Sequence, residues 1–417
     1  MENHNRPDKE QLSVAPTQPH RPTPPAHGWP TRHTRRSRSR ASVAAVVGVL
    51  AATAGVALVA TPAGADAKPV TVTITLTPQA CTPEPSTVPT GQIQFNVKNK
   101  DAGSVSEAEL RTSDLSHILG EQENLTPGLS GGFALVVQPG HYLINCPGAA
   151  QPHARFTVAG TSKAKNWKTS AVLSRAVSQY ATYVNQNAAT LVSSSQSMCA
   201  AVTAGNQTLA EQLYPKSRIY YERIEPVAEV WGTLDTDIDG RIDNPVTDPT
   251  KLEGFHRIEE IMWDDNTLSG AATFCTGLVQ HEQQLQQLVS TASYDPVTMA
   301  SGATDLINEA ATSKITGEEE RYSNTDFIVF QANVDGAMEV VNLLKPYIQR
   351  VDPSLVSTIE QRYQKVENAI AKYKATPGYD TTGYVEYSTV LTPQRRQLSA
   401  IVQAFAESLS QMSGQVS

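Results

Sequence analysis

Arg155-Phe-Thr-Val-Ala-Gly160 and, after a short polar segment, Ser170-Ala-Val-Leu-Ser-Arg-Ala-Val-Ser-Gln-Tyr-Ala-Thr-Tyr-Val184 are written in two different periods. In the first, apolar Phe156 and Val158 alternate with Arg155 and Thr157, as in a half-buried strand. In the second, Leu173, Ala176, Val177, Tyr180 and Val184 recur at three and four positions, as on one face of a helix. Upstream, Val70-Thr-Val-Thr-Ile-Thr-Leu76, Gln92-Ile-Gln-Phe-Asn-Val97, Gly131 to Val137 and Gly140 to Ile144 repeat the strand pattern, so residues 68–159 predict a small β-sandwich. Downstream, 160–417 predict an α-helical bundle from Ser170–Thr203, Gln207–Trp231, Gly254–Met262, Ala271–Ala292, Thr325–Gln349, Pro353–Ala375 and Pro393–Met412. The expected fold is all-β plus all-α in two domains, joined near 159–165.

The 417 residues suit two domains better than one. With 40% hydrophobic and 18% charged residues, the chain can bury a core and is not globally disordered. Four cysteines cannot staple a chain of this length, and a net charge of −8 argues against a nucleic-acid binder. The charge is uneven. Residues 1–67 hold 8 Lys/Arg and 4 Asp/Glu, which leaves 25 and 37 for the remainder.

Within 1–67, a Pro-rich polar stretch precedes the basic cluster Arg32 to Arg40 with its pair Arg35-Arg36, then an uncharged apolar run from Ala41 to Ala65. It ends in the small-x-small pattern Ala65-Asp66-Ala67. This is the order of an export signal, and the run is also long enough for an uncleaved anchor. Either way the remainder is expected to work outside the cytoplasm, in the periplasm or cell envelope.

Two spaced pairs carry chemistry. Glu222 and Glu225 lie three apart in Tyr220-Tyr-Glu-Arg-Ile-Glu-Pro226, and His256 and Glu259 have the same spacing in Gly254-Phe-His-Arg-Ile-Glu259. Residues three apart share a helix face, so two such helices can build a metal site inside a bundle. Carboxylates plus an imidazole suit Fe, Mn or Zn. The bland alternative is two amphipathic helices with solvated charges. His-x-x-Glu lacks the second His of a zinc-protease motif. Asp235-Thr-Asp-Ile-Asp239-Gly240 matches the first half of a calcium loop, but Val246 stands where the closing carboxylate belongs. One of these Asp is therefore expected to reach the Glu/His site instead.

Tyr221-Glu-Arg-Ile-Glu-Pro-Val-Ala-Glu229, Gly254-Phe-His-Arg-Ile-Glu259, Ser313-Lys-Ile-Thr-Gly-Glu-Glu-Glu-Arg-Tyr-Ser323, Thr325-Asp326 and Phe330-Gln-Ala-Asn-Val-Asp-Gly336 resemble the imelysin-like (EfeO/EfeM) family. The resemblance spans essentially the whole chain after residue 67. It implies a cupredoxin-like β domain followed by an imelysin-like helical domain. It also implies an extracytoplasmic component of a ferrous-iron uptake (EfeUOB-type) system that binds iron, as Fe(II) or Fe(III). The implied partners are a membrane iron permease and a haem peroxidase, with membrane association through them or through the N-terminal anchor. Carried over by position, the implied ligands are His256, Glu259, Glu222 and Glu225, with Asp239 or Asp235 completing the site. The family also carries a peptidase label, so a metal-dependent peptidase is the alternative. Glu318 to Glu320 match the family too, and read as a solvated, helix-starting charge cluster.

In the β domain, Cys81 and Cys146 with Glu107 and Glu109 read as a second metal site, for copper, iron or zinc, or as a simple disulfide. A blue-copper centre needs two His and a Cys, usually with an axial Met, and no Met lies in 68–159. His117, His141 and His153 read as surface residues. Cys199 and Cys275, on two expected helices, read as a cross-link or as two small buried side chains.

Overall fold

The computed structural model describes residues 70–417, apart from 116–117, 123–124, 162–166, 232, 243–251, 377, 379–381 and 417. The export or anchor segment, most of the expected linker, His117 and Val246 lie outside the described residues.

Two sheets form the N-terminal part. One is built from β1 (Val70–Leu76), β2 (Cys81–Glu84), β4 (Gly91–Asn99) and β7 (Ser130–Val137), in the order β2-β1-β4-β7. The other takes β3 (Thr87–Pro89), β5 (Ala108–Thr112), β6 (Ile118–Gln122), β8 (Gly140–Asn145) and β9 (His153–Ala159), in the order β3-β9-β8-β5-β6. The alternation read in the sequence is the burial pattern: Val72, Ile74 and Leu76 face inward while Thr71, Thr73 and Thr75 face outward or sit at the margin. Phe95 of β4 stacks on Phe133 of β7 at 4.7 Å and meets Phe156 of β9 edge-on at 5.5 Å, so one aromatic cluster joins the two sheets. Strands β2, β3, β5 and β6 are short and were not expected from the sequence.

After the strands come α1 (Ala171–Thr203), α2 (Gln207–Glu222), α3 (Glu225–Ala228), α4 (Thr233–Asp239), α5 (Gly254–Trp263), α6 (Ala271–Thr291) and α7 (Pro296–Thr312). They are followed by α8 (Asp326–Val351), α9 (Pro353–Ile370), α10 (Thr392–Leu409) and α11 (Met412–Val416). Caps explain several starts. The Ser170 side chain accepts from the Leu173 N–H, Asn206 from Leu209, and Asp352 from Leu355. Helix α7 was missed in the sequence, although Asp295 caps it and Pro296 occupies its first turn. It is buried nearly all round, so it has no amphipathic stripe to read. It packs on α8, on α10 and on β6, and so lies between the bundle and the sheets.

The expected helix Gln207–Trp231 is broken after Glu222. Pro226 has no N–H, and in a continuous helix its ring would clash with the Glu222 carbonyl. That carbonyl instead accepts from Asn333 Nδ2 of α8 at 3.1 Å. The partial likeness to a calcium loop does not extend to the fold, because Asp235, Asp237 and Asp239 all lie on helix α4. A helix cannot wrap those three carboxylates around one ion, since Asp237 points away from the other two.

Candidate metal centre

Five segments converge inside the bundle. Helix α2 brings Arg218 and Glu222, α3 brings Glu225, α4 brings Asp235 and Asp239, and α5 brings His256 and Glu259. The segment between α7 and α8 brings Lys314, Glu319 and Glu320. Arg218, Glu222, Glu259 and Glu320 are fully buried, and His256, Lys314 and Glu319 nearly so.

The centre of this group is the His256 ring. Its Nδ1 meets Glu259 Oε2 at 3.3 Å, and its Nε2 lies 3.3 Å from Asp239 Oδ1 and 4.0 Å from Glu319 Oε1. Asp239, His256 and Glu319 each offer a ligand atom, all within 4.8 Å of one another. Nε2 is buried without a hydrogen-bond partner. Glu259 is itself fixed: its Oε1 accepts the backbone N–H groups of Tyr322 at 3.0 Å and Ser323 at 2.8 Å. A carboxylate on one ring nitrogen favours the proton there and leaves the other nitrogen as an acceptor.

Glu222 and Glu225 do not face this ring. Lys314 Nζ donates to Glu222 Oε2 at 2.9 Å and to both Glu225 oxygens at 2.7 Å. Arg218 donates to Glu319 Oε1 at 2.6 Å and Glu320 Oε1 at 2.9 Å, and also pairs with Asp239 and Glu222. The Phe255 ring lies 5.2 Å from the Arg218 guanidinium. Arg241 pairs with the second oxygen of Glu319. Asp235 accepts from the Tyr221 hydroxyl. The structure thus brings Asp239, His256 and Glu259 together, and seats Glu222 and Glu225 on an ammonium and Asp235 on a phenol.

Electrostatics follow from burial. Burial drives the Glu225 carboxyl well above its ordinary range, and Asp235 up to about 6. Glu320 is pushed up to about 8 by burial, against the pull of Arg218. Glu319 goes the other way: burial opposes its charge, but Lys314, Arg241 and Arg218 more than offset it and hold the group well below the carboxylate range. Glu319 is therefore held ionised beside His256.

Glu319 and Glu320 are also what the sequence reading missed. Expected as a solvated cluster, they are 2% and 0% exposed, while their neighbour Glu318 is only half-buried. The segment lacks helical or strand periodicity, so no pattern announces which of three consecutive Glu turns inward. Its match to the family strings was the available signal.

In the β part, Cys81 and Cys146 form a disulfide with Cα atoms 6.1 Å apart. The thiolate reading is corrected accordingly: neither sulfur is available to a metal in this form. Glu107, Glu109 and Glu121 cluster nearby, with Glu109 held by Arg111 and by Asn145 Nδ2 at 2.7 Å. Cys199 and Cys275 join α1 to α6.

Residues 176–412 match the family model described as imelysin, and residues 49–158 match that of a cupredoxin-like domain. The chain is 37% identical over 348 residues to the iron uptake system component EfeO of Yersinia pseudotuberculosis serotype I (strain IP32953), covering 82% of this chain and 90% of that protein. It is 35% identical over 348 residues to the iron uptake system component EfeO of Escherichia coli (strain K12), with the same shares covered.

Proposed function

The chain belongs to the imelysin family and, within it, to the EfeO iron-uptake components, and from that premise we propose that its helical domain binds iron as cargo outside the cytoplasm and delivers it to a membrane permease. The observation that carries this is the convergence of Asp239, His256 and Glu319 within 4.8 Å around a buried, unpartnered imidazole nitrogen. Two carboxylate oxygens and one imidazole suit Fe(II) or Fe(III), and also accept Zn(II).

In this reading Asp239, His256 and Glu319 hold the ion, and Glu259 is a positioning residue that fixes the His256 tautomer. Glu222 and Glu225 hold Lys314, which in turn lies 3.4 Å from Glu319 and keeps it ionised. Asp235 lies beside the ligands on the same helix face. Reversible liganding needs no bond-making chemistry, and the geometry supports that over peptide hydrolysis. A metal-assisted hydrolase wants a carboxylate free to act as base next to a metal-bound water. Here both oxygens of Glu259 are engaged, and Glu320 is engaged by Arg218 and Ser323. Export or anchoring through residues 1–67 would place this site on the outer side of the membrane, where a haem peroxidase partner would also act.

The test is anaerobic calorimetry with Fe(II) on the purified protein. His256→Ala is expected to remove one bound iron per chain, and Glu259→Gln to weaken that same ion by about ten- to a hundredfold. An unchanged iron stoichiometry in His256→Ala would show that this centre is not the cargo site.

A further inference from the structure

The three aspartates of α4 leave one feature unused. Asp235 and Asp239 lie one turn apart on the face turned to the centre, and Asp237 projects from the other face. There it meets Glu253, the residue that precedes α5, and His281 of α6. One ligand atom from each of Asp237, Glu253 and His281 lies within 4.8 Å of the other two. His281 Nδ1 is buried without a hydrogen-bond partner. All three residues are partly buried, so the cluster is neither a core network nor a loose surface patch.

The surrounding chain holds the trio in place. At Gly277, one turn before His281, an added Cβ would stand 3.6 Å from Glu253 Oε2, so the carboxylate lies directly over α6. At Gly254, an added Cβ would stand 2.8 Å from the Asp237 carbonyl oxygen, so the start of α5 is pressed against α4. Together these fix Glu253 between Asp237 and His281.

We propose that Asp237, Glu253 and His281 form a second divalent-cation site, separated from the inner centre by helix α4. Two carboxylates and one imidazole select a borderline first-row dication such as Fe(II), Mn(II), Co(II) or Zn(II) over Cu(I). Three protein ligands leave the remaining coordination positions to water, which suits an exchangeable site. The imidazole of His281 supplies the nitrogen donor, and the two carboxylates supply the charge that a dication requires. The site stands on its own geometry and does not depend on what the inner centre carries.

The probe is Co(II) alone, titrated into the metal-stripped full-length protein and followed by visible absorption and by ions bound per chain. The wild type is expected to bind two ions. His281→Gln should bind one, and Asp237→Asn should weaken that same ion more than about tenfold. His256→Gln/Glu319→Gln should keep the outer ion, with an absorption spectrum that His281→Gln lacks. His281 and Asp237 are only partly buried, so their variants should keep the wild-type far-UV circular dichroism, and either one alone suffices for the comparison. If both leave the stoichiometry at the wild-type value and the affinities within twofold, the outer site is overturned. A wild type whose single ion survives in both His281→Gln and Asp237→Asn overturns it equally. A wild type whose single ion is lost in His281→Gln and kept in His256→Gln/Glu319→Gln would count against the iron-cargo assignment and leave this one standing.

Discussion

A Cβ on Gly254 would fall 2.1 Å from the carbonyl oxygen of Ile238. Gly254 opens α5 two residues before His256, and Ile238 precedes Asp239 on α4, so this backbone contact sets how closely those two side chains approach. Gly254 also has φ +73, which L side chains rarely adopt. Gly254→Ala is therefore expected to cost more than about 2 kcal/mol and to weaken binding at the inner centre about tenfold or more. Gly270 supplies the control. Its φ is +84 but nothing lies within 4 Å of an added Cβ. Gly270→Ala should show only the conformational cost, about 1 kcal/mol, with metal affinity unchanged. Thermal unfolding and metal titration on the two variants separate the effects. Equal loss of affinity in both would remove the contact from the explanation.

Lys314 makes the next case. Its ammonium is nearly inaccessible and sits among Glu222, Glu225 and Glu319, with Glu309 at 3.6 Å. Breaking such a group from one side leaves buried charge uncompensated, which costs about 3–5 kcal/mol. Lys314→Met should lose stability on that scale in urea denaturation at neutral pH. Lys314→Met/Glu225→Gln should recover more than about 1 kcal/mol of it, because the partner left unpaired has been neutralised. Additive losses would mean that the Lys314–Glu225 contact carries no coupling.

The half of the centre that sits on regular helix was legible in the sequence. His256 and Glu259 share a face because they are three apart, and the family resemblance narrowed the Asp expected beside them to Asp235 or Asp239. Three things were not legible. Pro226 breaks the expected helix, so Glu222 and Glu225 no longer project from one continuous face and close on Lys314. Glu319 and Glu320 come from a segment whose side-chain directions follow no period. Arg218 and Lys314 carry no spacing signal in the sequence, and only tertiary packing shows that they neutralise the acids around the ring. In the β part the alternating strands were readable over five stretches. The short β2, β3, β5 and β6 were not, since runs of three to five residues barely establish a period.

Stability of the metal-free protein should fall as pH rises from 5 to 8. Burial pushes the Asp326 carboxyl up to about 7, and its Oδ2 is buried without a partner, as suits a protonated acid. The unfolded chain releases this proton near pH 4. Between those values the folded state binds the proton more tightly, so the contribution is fully present below about pH 4 and lost as pH passes through 7. The full window corresponds to roughly 4 kcal/mol. Asp235 and Glu320, also raised, add slope of the same sign, while Glu319, held low, contributes only in acid. Asp326→Asn, which imitates the neutral acid, should flatten the curve and exceed the wild type in stability at pH 8. Urea midpoints at four pH values in the presence of a chelator measure this, and parallel curves for the two proteins would refute it.

The two cross-links should differ in what they protect. Cys199–Cys275 closes 76 residues and joins α1 to α6, helices that also pack against each other along their length. Cys81–Cys146 closes 65 residues within the β part. Loop-closure entropy assigns each about 4 kcal/mol, a figure that residual structure in the unfolded chain lowers. Cys199→Ala/Cys275→Ala is expected to lower the denaturation midpoint while leaving inner-site metal affinity within about twofold, because none of the inner-centre residues lies on α1 or α6. Reduction of Cys81–Cys146 should instead release two thiols inside the β core, and with them an affinity for Cu(I) that the oxidised protein lacks. Iodoacetamide labelling followed by mass spectrometry gives the count. In denaturant no cysteine should react before reductant and all four after it, and labelling of Cys81 or Cys146 in the unreduced protein would return the thiolate reading to the β domain.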